Sequence, residues 1–86
     1  METRVAVISI IVSDPEAVSR LNELLHTYAP YVIGRMGIPY PEKGVSIISV
    51  AIDAPQDKIN ALTGALGRLQ GVNAKATYAQ TNEKEH

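Results

Sequence analysis

The chain repeats itself at an offset of forty residues. Laid over one another, Val5-Ala-Val-Ile-Ser-Ile-Ile-Val-Ser-Asp-Pro15 matches Val45-Ser-Ile-Ile-Ser-Val-Ala-Ile-Asp-Ala-Pro55, with Val5/Val45, Ile8/Ile48, Ser9/Ser49 and Pro15/Pro55 identical. The same offset pairs Val32 with Val72 and Arg35 with Lys75. Each copy opens on an apolar, β-branched run that reads as a buried strand. A proline suited to the first turn of a helix follows. Two copies of strand–helix–strand spell βαββαβ. With right-handed crossovers this predicts an α+β, ferredoxin-like sandwich: a four-stranded antiparallel sheet with both helices on one face. The first and third strands are expected at the centre, parallel to each other.

The element boundaries follow from punctuation and periodicity. Strands are predicted over Val5–Val12, Tyr31–Ile38, Val45–Ile52 and Val72–Tyr78. Ala17, Val18, Leu21, Leu24, Leu25 and Tyr28 form the stripe of one helix, and Ile59, Leu62, Leu66 and Leu69 that of another ending near Gly71. Ser13 or Asp14 can cap the first helix, and Ser13 and Glu16 have capping-box spacing. Pro39 to Gly44 reads as a turn. Residues 1–80 are expected to form one domain and the polar residues 81–86 a flexible tail.

Alternation along the strands assigns their faces. The even positions from Ala6 to Val12 and Ser46 to Ile52 are expected to meet the helices, continued on the outer strands by Val32, Met36, Ile38, Val72, Ala74, Ala76 and Tyr78. The odd set, Val5, Val7, Ser9, Ile11, Val45, Ile47, Ser49 and Ala51, then faces away from them. It is nearly as apolar, and an open patch of this kind marks an interface. A homo-oligomer, a dimer or a higher even assembly, is therefore expected on the open face or its edge, through Val5, Val7, Ile11, Val45, Ile47 and Ala51. Arg35, Asn73, Lys75 and Thr77 are expected to rim it.

Composition narrows the chemistry. With no Cys among 86 residues there is no disulfide, Zn–thiolate site, Fe–S ligation or Cys nucleophile within the chain. Only His26 and His86 could supply imidazole, and they make no metal-ligand constellation, so no metal and no cofactor is expected. His26 reads as a solvated surface residue. Asp14, Glu16, Asp53 and Asp57 sit where helices begin, the usual place for capping carboxylates. Ser9 and Ser49 lack a nearby His and read as small, hydrogen-bonding interface residues rather than nucleophiles. Eight basic residues against nine acidic ones, a net charge of −1, and the lack of Phe and Trp argue against nucleic-acid binding by the chain itself. No apolar run is long enough to span a bilayer, and the first residues do not read as a secretory leader, so the expected address is the cytoplasm.

Two glycine-bearing segments remain. Gly34-Arg35-Met36-Gly37 sets an Arg between two glycines on a predicted strand, where Gly often signals a bulge or a close approach. Arg35 either holds a carboxylate or phosphate there, or blunts an edge strand against aggregation. Under the first reading a small anionic ligand docks at Arg35 and Lys75, over the hydroxyls of Ser9 and Ser49, with Gly34 and Gly37 keeping the backbone open. Gly64 and Gly67 lie within a predicted helix and read as sites of close helix packing.

Arg35-x-Gly37-x-Pro39, the strand Gly44-Val-Ser-Ile-Ile-Ser-Val50, and Ala61-Leu-x-Gly64-x-Leu66-Gly67-x-Leu69-x-Gly71-Val72 together resemble the family described as iron-only hydrogenase system regulators. The resemblance runs from about Arg4 to Tyr78. It implies a ferredoxin-like, ACT-like fold similar to the C-terminal domain of the nickel-responsive repressors, and assembly as a dimer or larger. It also implies a link to an iron-only hydrogenase system. The repressors' His and Cys ligands and ribbon-helix-helix segment have no counterparts here, and Val12-Ser13-Asp14-Pro15 lacks the glycine of amino-acid-binding ACT domains. The leading expectation is a non-catalytic regulatory module that binds a small ligand or a partner protein at a sheet or subunit interface. The alternative is a protein-interaction adaptor with no small ligand. An enzyme on this scaffold has no base, nucleophile or cofactor motif behind it.

Overall fold

The computed structural model describes residues 2–80, so the expected tail at 81–86 lies outside the described residues. Strand β1 runs over Arg4–Val12, β2 over Val32–Tyr40, β3 over Val45–Ala54 and β4 over Val72–Tyr78. Helix α1 spans Val18–Thr27 and is led in by a 3₁₀ turn at Pro15–Ala17; α2 spans Gln56–Gly67. The strands form one sheet in the order β2-β3-β1-β4, which is the ferredoxin-like α+β arrangement.

All three pairings are antiparallel, including that of β1 with β3. The expectation of parallel central strands is thus overturned, and the reason lies in the connections. The α1 crossover leaves β1 and β2 running the same way, and the short β2–β3 turn reverses the chain. β3 therefore enters the gap between them antiparallel to both.

The helix-facing set of the central strands is buried as alternation requires. Ala6, Ile8, Ile10, Val12, Ile48, Val50 and Ile52 join Leu21, Leu25, Ile59, Leu62 and Leu66 in one core. Asp14 caps the first turn, its Oδ1 accepting from the Glu16 amide at 3.0 Å. Ser13 instead ties the end of β1 to the start of β4: its amide and its hydroxyl both donate to the Gly71 carbonyl, at 2.7 and 3.2 Å. At the opposite end Arg4 stacks 4.4 Å from the ring centre of Tyr78, whose hydroxyl donates to Asn60 Oδ1 at 2.6 Å. Asp53 is an exposed β3 residue paired with Val5 and caps nothing, since α2 begins behind Pro55 without a side-chain cap. Gly64 and Gly67 are not packing contacts either. A Cβ at Gly64 would meet only the tip of Arg68 at 3.5 Å, and one at Gly67 would meet nothing within 4 Å.

The edge strand β2 departs most from simple alternation. Val32 pairs with Ile52 but Gly34 with Ala51, so the ladder slips one residue and Ile33 is left as a bulge. Because side chains alternate with a period of two, one extra residue turns over everything downstream. Arg35 pairs with Val50 and Gly37 with Ile48, both on the helix side, while Met36 pairs with Ser49 and Ile38 with Ile47 on the open side. The expected outward Arg35 and inward Met36 and Ile38 are thereby exchanged.

Candidate functional site

The open face is best described row by row, since residues paired across antiparallel strands share a face. Its central row is Met36–Ser49–Ser9–Lys75. On one side lies Ile38–Ile47–Ile11–Asn73 and on the other Gly34–Ala51–Val7–Thr77. Tyr40 and Val45 extend the first flank up to the β2–β3 turn, and Asp53 with Val5 extends the second. Val5, Val7, Ile11 and Ile47 are 40–45% exposed, and Met36 and Ile38 rise to 58% and 48%. The face is graded. It is largely apolar from β2 through β3 to β1, interrupted by the central Ser9 and Ser49 and by Asp53 beside Val5 at one end, and turns polar along β4, where Asn73, Lys75 and Thr77 project.

The bulge creates this gradient. Without it β2 would show Arg35 and Gly37 on the open side, where Met36, Ile38 and Tyr40 now stand. Counting from the sheet rather than the sequence, the residue equivalent to Lys75 in the first half is Met36, across from Ser49 as Lys75 is across from Ser9. The expected site therefore splits. Ser9, Ser49 and Lys75 come together, and Ser9, Ile11, Asn73 and Lys75 outline a shallow depression of about 320 Å³. Gly34 lies on the same face, one row away. Arg35 and Gly37 are on the opposite face of the sheet.

On the helix side, Arg35 Nη2 donates to Asn22 Oδ1 on α1 at 3.0 Å. The two residues line a cavity of about 360 Å³ with His26, Leu25, Ala29, Val32 and Val50. His26, expected to stand alone in solvent, is thus beside the one arginine that the bulge redirects. Among the described residues no group of three or more His, Cys, Asp or Glu side chains could hold a metal ion. Among them too, no helix is long and apolar enough to cross a membrane.

The model of the TM1266-like family, described as "Iron-only hydrogenase system regulator, putative", matches residues 4–76. The chain belongs to this family. The resemblance to iron-only hydrogenase system regulators read from the Arg35, Gly44 and Ala61–Val72 segments is thereby confirmed. A solved structure of the uncharacterized protein TM1266 from Thermotoga maritima is 32% identical, with a TM-score of 0.88. The match covers 92% of the present chain and 100% of the Thermotoga one. A comparison with curated proteins finds no match. The family description associates TM1266-like proteins with regulation of an iron-only hydrogenase system.

Proposed function

We propose that this TM1266-like chain is a non-catalytic, cytoplasmic regulatory module that assembles with copies of itself through the open sheet face and acts on its hydrogenase system through a partner protein. The observation that carries this reading is the contiguous apolar surface of Val5, Val7, Ile11, Ile47, Met36, Ile38 and Tyr40, all at least 40% exposed. Half-exposed side chains of this size offer on the order of 80 Å² each. The patch, with Val45 and Ala51, thus presents on the order of 600 Å² against the ~800 Å² that a stable interface takes from each partner. A monomer would leave that surface in water.

The gradient across the face supports a particular arrangement. A second copy gains most over β2, β3 and β1, where the surface is apolar, and least over β4, where burying the Lys75 ammonium without a partner is costly. Ser9 and Ser49, paired at the centre, are small enough to let two sheets approach closely. Sedimentation velocity at micromolar concentration tests the reading. The wild type is expected to run as a dimer or larger even assembly. A folded wild-type monomer would refute it.

A further inference from the structure

We propose that the cavity between the second half of α1 and edge strand β2 binds the carboxylate of a small organic acid that has an aliphatic body and no amino group. Arg35, Asn22 and His26 hold the anion. The site lies on the helix side of the sheet, so it does not depend on how copies of the chain pair across the open face.

The donors come first. Asn22 Oδ1 accepts from Arg35 Nη2 at 3.0 Å, which orients the guanidinium and commits the Asn22 amide the other way, leaving its NH₂ free to donate. The remaining guanidinium N–H groups suit the two oxygens of a carboxylate. The imidazole of His26, one turn along α1 from Asn22, carries an N–H donor in either tautomer. None of the residues lining the cavity is an acid. Among the described residues Arg35 has only the Asn22 amide as a hydrogen-bond partner, and a cationic group so placed, in a cavity lined by no acid, calls for an anion.

The rest of the cavity is apolar. Leu25 and Val50 are buried at its floor, and Ala29 and Val32 line it as well. Gly37, two residues from Arg35 on the same face of β2, adds no side chain that would crowd the guanidinium; a Cβ there would stand 3.9 Å from Ile48. An apolar floor with a few convergent polar groups is the usual make-up of a small-molecule site. The floor favours an aliphatic body over a bare inorganic anion. A ligand ammonium would find no carboxylate among these residues and would be repelled by Arg35. The bulge at Ile33 matters here too, since without it Arg35 would face away from α1.

Titration of the ¹⁵N-labelled full chain with sodium isovalerate, against L-valine and inorganic phosphate at matched ionic strength, tests the assignment. Isovalerate at millimolar concentrations is expected to shift the amide resonances of His26, Arg35 and their neighbours saturably. L-Valine and phosphate should each bind at least about tenfold more weakly, a difference of ~1.4 kcal/mol. Arg35→Ala should abolish the response, and Arg35→Lys, which keeps the charge but loses the planar pair of donors, should weaken it. Asn22→Ala serves as a second variant if Arg35→Ala is poorly folded. Ile47→Asp, which puts a carboxylate on the opposite, open face of the sheet, should bind as the wild type does, whatever its oligomeric state. No saturable shift with isovalerate, equal binding of phosphate or valine, unchanged affinity in Arg35→Ala and Asn22→Ala, or loss of binding in folded Ile47→Asp would each overturn the proposal.

Discussion

A Cβ on Gly71 would stand 2.4 Å from the Cβ of Asp14, so the turn into β4 is locked against the residue that caps the first helical turn. Gly71 also has φ +77°, a conformation that an L side chain adopts only at a cost. The same residue's carbonyl accepts two bonds from Ser13, which draws the two chain segments into contact.

Gly71→Ala is therefore expected to destabilise the fold by at least about 2 kcal/mol. For a domain of this size that lowers Tm by roughly 8 °C or more. Gly44→Ala is the control, because Gly44 has φ +68° but nothing within 4 Å of a Cβ. It should lose only the conformational part, about 1 kcal/mol. Chemical denaturation of both variants separates strain from contact, and equal losses would show that the Asp14 approach contributes nothing.

Self-association should respond to charge according to position on the open face. Ile47→Asp and Met36→Asp are each expected to dissociate the assembly, since both place a carboxylate in the apolar part of the surface. Lys75→Met should tighten it, by about 1 kcal/mol or more, by extending the apolar surface onto β4. Sedimentation equilibrium over a concentration series measures all three. A Met36→Asp variant that associates like the wild type would mean that β2 is not part of the interface.

Gly64→Ala is expected to stabilise the protein by ~0.5–1 kcal/mol. Glycine in a helix interior is unfavourable by that amount relative to alanine, and the added methyl meets only the end of the Arg68 side chain. The check is the denaturant midpoint with an unchanged m-value. A lowered midpoint would mean that α2 needs the glycine for close packing after all.

The chain should not bind DNA in a sequence-selective way. Its net charge is −1, and the open face presents Val, Ile, Met and Ser where stacking surfaces would need aromatics, with Tyr40 alone at one corner. Gel-shift measurements at physiological salt are expected to show no sub-micromolar selective complex.

Periodicity made most of this fold legible. Alternation in Val5–Val12 and Val45–Ile52 assigned the core face of both central strands correctly, because each is held in register by neighbours on both sides. The helical stripes at Leu21, Leu25, Ile59, Leu62 and Leu66 likewise point where they were expected to. β2 was less legible because an edge strand has one neighbour and tolerates a bulge, and alternation carried from Val32 ignores it. A usable signal was present in the turn. With Tyr40 opposite Val45, the hairpin makes each even β2 residue from Gly34 to Tyr40 the partner of an odd β3 residue. Counting back from the turn rather than forward from the helix would have placed Met36 beside Ser49 and Arg35 beside Val50. The cavity at Arg35 was illegible for the same reason, and because Asn22 and His26 gain meaning only when α1 is laid over β2.

The slip at Ile33 also bears on how the two halves of a duplicated unit can drift apart. Substitution alone would have to change an outer strand one position at a time, and each intermediate would carry a mismatched side chain toward either water or the core. Shifting the frame by a single residue exchanges the roles of a whole row together while leaving the turn, the helix and the central strands in place. The symmetry of the two halves is then broken on both sides of the sheet by one extra residue in the ladder, so each side can carry its own chemistry.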